Sequence, residues 1–583
     1  MAQNSSPFRQ FVRLVQLDGG EVSIIFCYAL ASGVLALAVP LAAQALVNTI
    51  AQGLFLQPLL LLTAAVFLGL LLSGILKTLQ MALAEAVQQR LFARLGLRLS
   101  EIIPRFQVRA FLSHNGPEQL NKFFEVVNVQ KSWNKLMLDV PAAFVEVLLS
   151  FLFLAFYGPS LLVLGVGSGV AVLLLMLLLG YGGLRSSIRE SYAKYDLAGW
   201  LEQMGRCHDS IKLGGSYEHF ILRADRLIET YLRHRQAHFS VLLRQLGTFY
   251  LLNSVAGASI LGLGGWMVMQ RQISLGQLVA AEIVVLGLLK SSEKLVKSAE
   301  PFFDLLTGLD KLHHLLSIPS DPSGGQTLTP PTRGCLVEFR EVSYSHIPGH
   351  PLLERAHLRL EAGQRVSVVG EEGSGRSTLA QLAVGLLEAD KGQVEIEGME
   401  IHSLSPDQRG RHLAWLTDRA ELFDTTVEDN ITLGRQVSPH DLRWALELSG
   451  LHEHLPWLPQ GLKTEIQCGG RNLSKAQFLR ILLARTLLSR PSVLVIDQNL
   501  YALDFERRIE TVRSLFEAGQ RWTILNLVAE TESLALSHRI YWLHKGQLRD
   551  LGSPSDLVAQ PEGEFARKFP TLFRRLQRRL EEV

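Results

Sequence analysis

Charged residues are scarce in this sequence. They make up 19% of it, against 48% hydrophobic residues, where a soluble globular chain carries about a quarter charged residues. That shortage excludes disorder for the bulk of the chain and argues against a wholly soluble protein. Cysteine is nearly absent: Cys27, Cys207, Cys335 and Cys468 stand far apart. No disulfide framework or paired-cysteine metal site follows from them. His313-His314 and Cys207-His208 also lack companions at ligand spacing. An excess of one charge sign is missing too. The 57 Lys+Arg and 55 Asp+Glu leave a formal net charge of +2, so no nucleic-acid partner is expected. A length of 583 residues allows about four domains, but the composition falls into two large blocks.

The first block has long apolar runs. Six lie near Val22–Leu46, Leu56–Leu76, Leu138–Tyr157, Ser160–Tyr181, Gly247–Met269 and Leu275–Leu295. Each approaches the roughly 20 residues that cross a bilayer as a helix. The block therefore reads as a six-helix transmembrane domain with the lipid bilayer as its partner. The first run is too long for a signal-peptide core and has no clear cleavage site after it. Pro7–Asp18 before it mixes Phe8, Phe11, Val12 and Val15 with Arg9 and Arg13, a pattern that suits a helix lying on a membrane surface.

Long gaps separate runs two and three, and runs four and five. The first holds Arg90, Arg94, Arg98, Arg105 and Arg109; the second holds Arg185, Arg189, Arg223, Arg226, Arg233 and Arg235. The positive-inside rule puts these gaps, and with them both termini, in the cytoplasm of a cell-membrane protein. Ala84–Ile103 and Arg185–Gly205 have helical periodicity and should carry spans two and four onward. Asn115-Gly116-Pro117 and Gly214-Gly215 mark a turn in each gap, which makes two cytoplasmic elbows. Glu146 and Glu282 fall inside spans three and six. Acids there are costly and face the bundle interior or water. A role in cargo handling and a structural hydrogen bond are both open for them.

Pro319–Pro331 is a Pro/Gly/Ser hinge. The boundaries expected are a membrane domain over residues 1–318, a linker over 319–333 and an α/β domain over 334–583. Val366–Val369 is a β-branched run that ends at Gly370. GEEGSGRST follows, from Gly370 to Thr378, and then a helical stretch. Strand, glycine loop and helix in this order form a P-loop. Its N–H groups and helix dipole hold phosphates. The spacing is kept, but Arg376 stands where the lysine belongs. Val493–Asp497 is an apolar strand ending in an acid that suits water-held Mg²⁺. Asn472-Leu473-Ser474-Lys475-Ala476-Gln477 between them opens a helix.

With these motifs in this order, the chain resembles an ATP-binding cassette (ABC) exporter half-transporter along almost its whole length. The resemblance implies a type I exporter-like membrane domain and an α/β P-loop nucleotide-binding domain. It implies a dimer that sandwiches two ATP molecules with Mg²⁺. The elbows would be its coupling helices. Tyr344 matches the aromatic that stacks on adenine. Gly370, Gly373, Ser374, Gly375, Arg376, Ser377 and Thr378 match the phosphate loop, and Ser377 would ligate Mg²⁺. Asp497 matches the second Mg²⁺-associated acid. Ala502-Leu503-Asp504 matches the loop that follows it. Ser474 and Gln477 match the signature motif.

The departures are informative. Arg376 keeps the charge of the lysine but not its shape. Gln498 replaces the glutamate base, and an amide cannot accept the proton. Ala529 stands at the switch histidine. Asp418 stands at the glutamine that senses Mg²⁺ and water. Lys475 and Ala476 replace two signature glycines, whose missing Cβ allows close approach to phosphate. The expectation is ATP binding with little hydrolysis by this cassette, in a dimer with a second half-transporter carrying intact motifs. The alternatives are a homodimeric exporter with unusual catalytic residues, Glu530 being a candidate base, and a non-transporting scaffold or regulator. Ile273–Ala280 is similar to sixth-span entries of protein and peptide exporters, which hints at such a cargo and leaves a periplasmic adaptor open. The tail Phe565–Arg579 holds six basic residues among Phe569, Leu572 and Leu576. It suits acidic lipid, a partner, or plain solvation.

Overall fold

Long apolar runs with few breakers become long helices. The computed structural model describes the chain except residues 1–6, 53–55, 114–119, 323, 330–332, 419, 468, 498–499, 518–520 and 582–583. It packs as two units. One joins Met1–Pro104 to Leu112–Ile318; the other joins Arg105–Phe111 to Pro319–Val583.

The first unit is helical. Its main elements are α1 (Pro7–Leu17), α2 (Gly19–Ala36), α3 (Ala38–Gln52), α4 (Leu56–Ile102), α5 (Glu125–Tyr157), α6 (Pro159–Leu179), α7 (Gly183–Arg206), α8 (Tyr217–Met269), α9 (Leu275–Lys297) and α10 (Ala299–Leu316). Among the described residues, six helical segments are long and apolar enough to cross a membrane. α4 has 47 residues; at 1.5 Å per residue it runs about 70 Å, more than twice the thickness of a bilayer core. Pro40 has no N–H to give to the Ala36 carbonyl, and α2 stops at Ala36.

Three local outcomes differ from, or add to, the sequence reading. Span four does not continue straight into its extension. α6 ends at Leu179 and α7 starts at Gly183, with Gly182 at φ +87° between them. A Cβ on Gly183 would come within 2.5 Å of the Phe303 ring, so the chain turns where only glycine fits. α1 does not simply lie on lipid. Its Phe11 meets Trp133 and Phe302 edge-on, at 6.0 and 5.5 Å, and Leu14 is buried. Gly215 takes φ +66° after the short helix His208–Gly214, where a turn is expected. Asn115-Gly116-Pro117 lies outside the described residues.

Beyond the spans, α5 packs between α4 and α10 through Val126, Val129, Trp133 and Met137, against Ala84, Val87, Leu305 and Leu312. A charged cluster sits in this apolar packing. Lys311 of α10 is 0% exposed. Its Nζ donates to Glu125 Oε1 of α5 at 3.2 Å and to the Ser191 hydroxyl of α7. It also lies 3.9 Å from the centre of the Tyr195 ring, a cation–π contact. Asn128 Nδ2 donates to Glu125 Oε2 at 2.9 Å. One buried ion pair thus ties three helices together.

The second unit is built on two sheets. Its strands are β1 (Val337–Tyr344), β2 (Leu353–Leu360), β3 (Arg365–Gly370), β4 (Lys391–Ile396), β5 (Met399–Glu400), β6 (Leu413–Thr417), β7 (Val493–Asp497), β8 (Thr523–Asn526), β9 (Arg539–His544) and β10 (Gln547–Asp550). The four-stranded sheet runs β2-β1-β4-β5 and is antiparallel. The six-stranded sheet runs β10-β9-β3-β8-β7-β6 and is parallel apart from β10. Buried Val366, Val368, Val493 and Val495 share a core with the antiparallel sheet. Buried on both faces, these strands read as continuous apolar runs. The order puts β3 and β7 on either side of β8, so the loops after all three leave one edge of the sheet. That edge is a switch point of the sheet, where α/β proteins bind ligands.

Candidate functional site

β3 feeds the glycine loop, and α11 (Arg376–Ala383) leaves it. Gly373 and Gly375 adopt φ +76° and φ +104°, where a side chain is strained. A Cβ on Gly370 would meet Ser374 Oγ at 2.6 Å. The loop therefore curls tightly, as a phosphate cradle at a helix N-terminus must. Ser374 Oγ is buried without a hydrogen-bond partner, so the cradle holds a polar group that a phosphate oxygen would satisfy. Ser377 is half-buried on the first turn of α11. Arg376 Nη1 donates to the Leu527 carbonyl just after β8, at 3.0 Å. Arg376 is thus bonded to the neighbouring strand's end. Glu371 pairs with Lys568 of the tail. The tail helix α15 (Pro570–Glu581) buries Phe573 and Leu576 beside Val369 and Trp542.

On the base side of the loop the expected aromatic is covered. Tyr344 closes β1 and is only 1% exposed. Arg109 lies over its ring, 5.4 Å from the centre, and His346 meets it edge-on at 5.0 Å. A base could stack on Tyr344 only by displacing one of them. The exposed ring here is His346, whose Nε2 shares a hydrogen bond with Thr378 Oγ1 at 3.1 Å. Arg109 is held in turn by Asp390 at 2.9 Å, and Asp390 Oδ2 accepts from the Ser345 N–H at 2.7 Å. The Arg109 contact holds the Asp390 carboxyl below its usual range, although burial works the other way. The sequence reading missed His346 and Arg109. A histidine two residues beyond the end of a strand was a visible signal; Arg109 had none.

Asp497 ends β7 and is paired in register with Thr417 of β6. Asp418 follows Thr417 and is exposed. Gln498 lies outside the described residues. Ala529 is half-buried beyond β8 and offers no polar atom of its side chain. Next to it, Glu530 is 5% exposed, with Oε1 unpartnered. Burial pushes its carboxyl pKa up, against the pull of Arg508 and the Leu500 N–H. Arg508 stands on α13 (Phe505–Phe516) over the Tyr501 ring at 4.7 Å.

The signature segment opens α12 (Lys475–Leu488). Ser474 caps it. Its Oγ accepts from the Gln477 N–H at 3.2 Å, and Gln477 Oε1 accepts from the Ser474 N–H at 2.9 Å. This reciprocal capping box satisfies two otherwise free N–H groups. From the same helix Arg485 donates to the Glu421 carbonyl and to Asn430 Oδ1, at 3.0 and 2.8 Å. It fixes the loop after Asp418, and sequence reasoning did not find it. The short helix α14 (Thr531–Ala535) packs against α15 through Leu534 and Ala535.

The chain matches two family models. The ABC transporter transmembrane region covers residues 22–288, and the ABC transporter model covers residues 353–500. It is similar to the cyclolysin secretion/processing ATP-binding protein of Bordetella pertussis, 29% identical over 53% of this chain and 44% of that protein. It is 30% identical to a multidrug efflux ATP-binding/permease protein of Mycobacterium tuberculosis, over 55% of this chain and 26% of that one. An ATP-dependent lipid A-core flippase of Chromobacterium violaceum is 27% identical over 62% of each. The chain thus spans less than half the length of the toxin-secretion relative. In fold it is similar to a bacterial Atm1-family ABC exporter with ATP bound: TM-score 0.84, 19% identity, 95% of this chain and 98% of that one. Both family models match in order, the fold agrees along nearly the whole chain, and six segments can span a bilayer: the chain belongs to the ABC transporter family, as a multi-pass membrane protein with one nucleotide-binding cassette.

Proposed function

We propose that the chain is one half of an exporter that binds Mg·ATP and turns it over slowly or not at all with its own catalytic groups. One observation carries this reading: six candidate spans share a chain with a phosphate cradle that is complete in backbone, with Gly373, Gly375, the α11 N-terminus and the unpartnered Ser374 hydroxyl. Ser377 and Asp497 would hold the Mg²⁺. Gln498, Ala529 and Asp418 leave the attacking water without a base and its usual companions. A second half-transporter would then supply the working site. The arginines of the two long gaps favour a cytoplasmic cassette and cytoplasmic termini. The toxin-secretion relatives and Ile273–Ala280 favour a peptide or protein cargo, with a periplasmic adaptor as a further partner.

A second reading has its own observation. Glu530 is a buried carboxyl beside the Leu500 N–H, and in a homodimeric exporter it could serve as the base. Mg·ATP turnover by the purified chain alone in lipid separates the two. Background turnover is expected. An ordinary exporter rate, abolished by Asp497→Ala and Glu530→Gln, would favour the homodimer and overturn the first reading.

The base platform has a separate test. His346→Ala should weaken binding of a fluorescent ATP analogue about fivefold or more, as loss of a ring stacked on a base implies. Tyr344→Leu, which removes the ring, should weaken it much less, because that ring is buried. The reverse pattern would return the role to Tyr344.

A further inference from the structure

Glu146 lies on α5 between Asp139 and Tyr157. At 1.5 Å per residue it is about 10 Å along the helix from the first and about 16 Å from the second, near the middle of a bilayer core. Phe144, Leu148 and Leu152 are exposed. They recur every four residues and form the apolar stripe of α5. Glu146 is two residues out of step, across the helix from that stripe. It therefore faces away from lipid.

What it faces is polar and small. Ser291 of α9, 0% exposed, donates its hydroxyl to Glu146 Oε2 at 2.5 Å. Gly287, one turn earlier on the same face of α9, has no side chain to cover the other oxygen. A Cβ there would stand 3.6 Å from Oε1. Among the described residues no lysine, arginine or histidine forms an ion pair with this carboxylate. The contrast with Glu125 is direct, since that buried acid is neutralised by Lys311. An acid at bilayer depth is costly and marks a path for a polar or charged guest when no cation of the protein answers it.

We propose that Glu146, seated on Ser291 and facing Gly287, contacts cargo and selects for a positively charged organic group. The inference rests on the exporter reading for the word cargo, and on geometry for the site. The guest is a lipophilic cation or the cationic part of a larger molecule. Its positive charge pairs with a carboxylate that no cation among the described residues answers.

The probe is tetraphenylphosphonium, with triphenylphosphine oxide as its neutral counterpart, on the full chain in nanodiscs of zwitterionic lipid. Wild type should bind the cation saturably. Glu146→Gln should weaken that binding about tenfold or more, and Glu146→Asp much less, because the charge is what counts. The neutral oxide should not respond to either change. Should Glu146→Gln fail to fold, wild type still decides. A hydrophobic carbodiimide should label Glu146, and the phosphonium, but not the oxide, should slow the labelling. The site is overturned by unchanged cation affinity in Glu146→Gln, by equal protection from the oxide, or by no saturable binding in wild type. ATP-driven uptake of the phosphonium, measured with a co-purified partner half, tests the other premise. Intact binding without uptake would sink the exporter reading and leave the site standing.

Discussion

Restoring three groups at once, by Gln498→Glu, Asp418→Gln and Ala529→His, should raise Mg·ATP turnover of the purified chain by about 10²-fold or more, the usual worth of a positioned general base. The reason is chemical. The water that attacks a γ-phosphate must lose a proton as its O–P bond forms. Glutamine has no basic oxygen for it, and alanine has no atom to orient the departing phosphate. Groups acting as a unit are strongly non-additive, so each single change should give far less than the three together. Phosphate release in lipid is the measurement. The cradle needs no repair, since Gly373 and Gly375 already hold their left-handed turns. If the triple variant stays at background while still binding a fluorescent ATP analogue, the block lies elsewhere. The places to look are then Arg376, bonded to the Leu527 carbonyl, and Lys475-Ala476 in the signature segment.

The second large effect is on stability. Lys311→Met should destabilise the helical unit by about 3–5 kcal/mol, because it leaves Glu125 charged, buried and without its partner. Glu125 is 3% exposed. Lys194 lies 3.7 Å from the same oxygen but is half exposed, and it cannot replace a cation fully inside the packing. The double variant Glu125→Gln/Lys311→Met should recover most of the loss, since a buried pair replaced as a whole by neutral groups is close to neutral in free energy. Thermal unfolding followed by tryptophan fluorescence reads both. Equal losses in the single and double variants would mean that shape, not charge, sets the cost.

Much of the architecture was legible in the residues. Six apolar runs and a strand-glycine-helix sequence are local signals, and local signals survive folding. What was not legible depends on neighbours distant in sequence. The break between α6 and α7 needs Phe303 to make Gly183 indispensable. Nothing near Glu125 announces Lys311, which arrives from the far end of the unit. The burial of Tyr344 has a related reason. Tyr344 sits at a buried strand end, on the same face as buried Val342, as alternation along β1 implies, while His346 lies beyond the strand, where alternation no longer holds. Ser474 and Gln477 carry a second meaning that composition also hid. They cap a helix, so they are needed for local structure whatever they do toward phosphate.

Arg105–Phe111 folds with the cassette although the chain reaches Pro319 only much later. During synthesis this short piece leaves the ribosome first and must wait for its sheet. A cassette expressed from Pro319 onward would lack it. Asp390 would lose its salt bridge, and the Tyr344 ring its guanidinium cover. Such a fragment would present a nucleotide site that the intact chain never shows, and its affinity for nucleotides would describe the fragment alone.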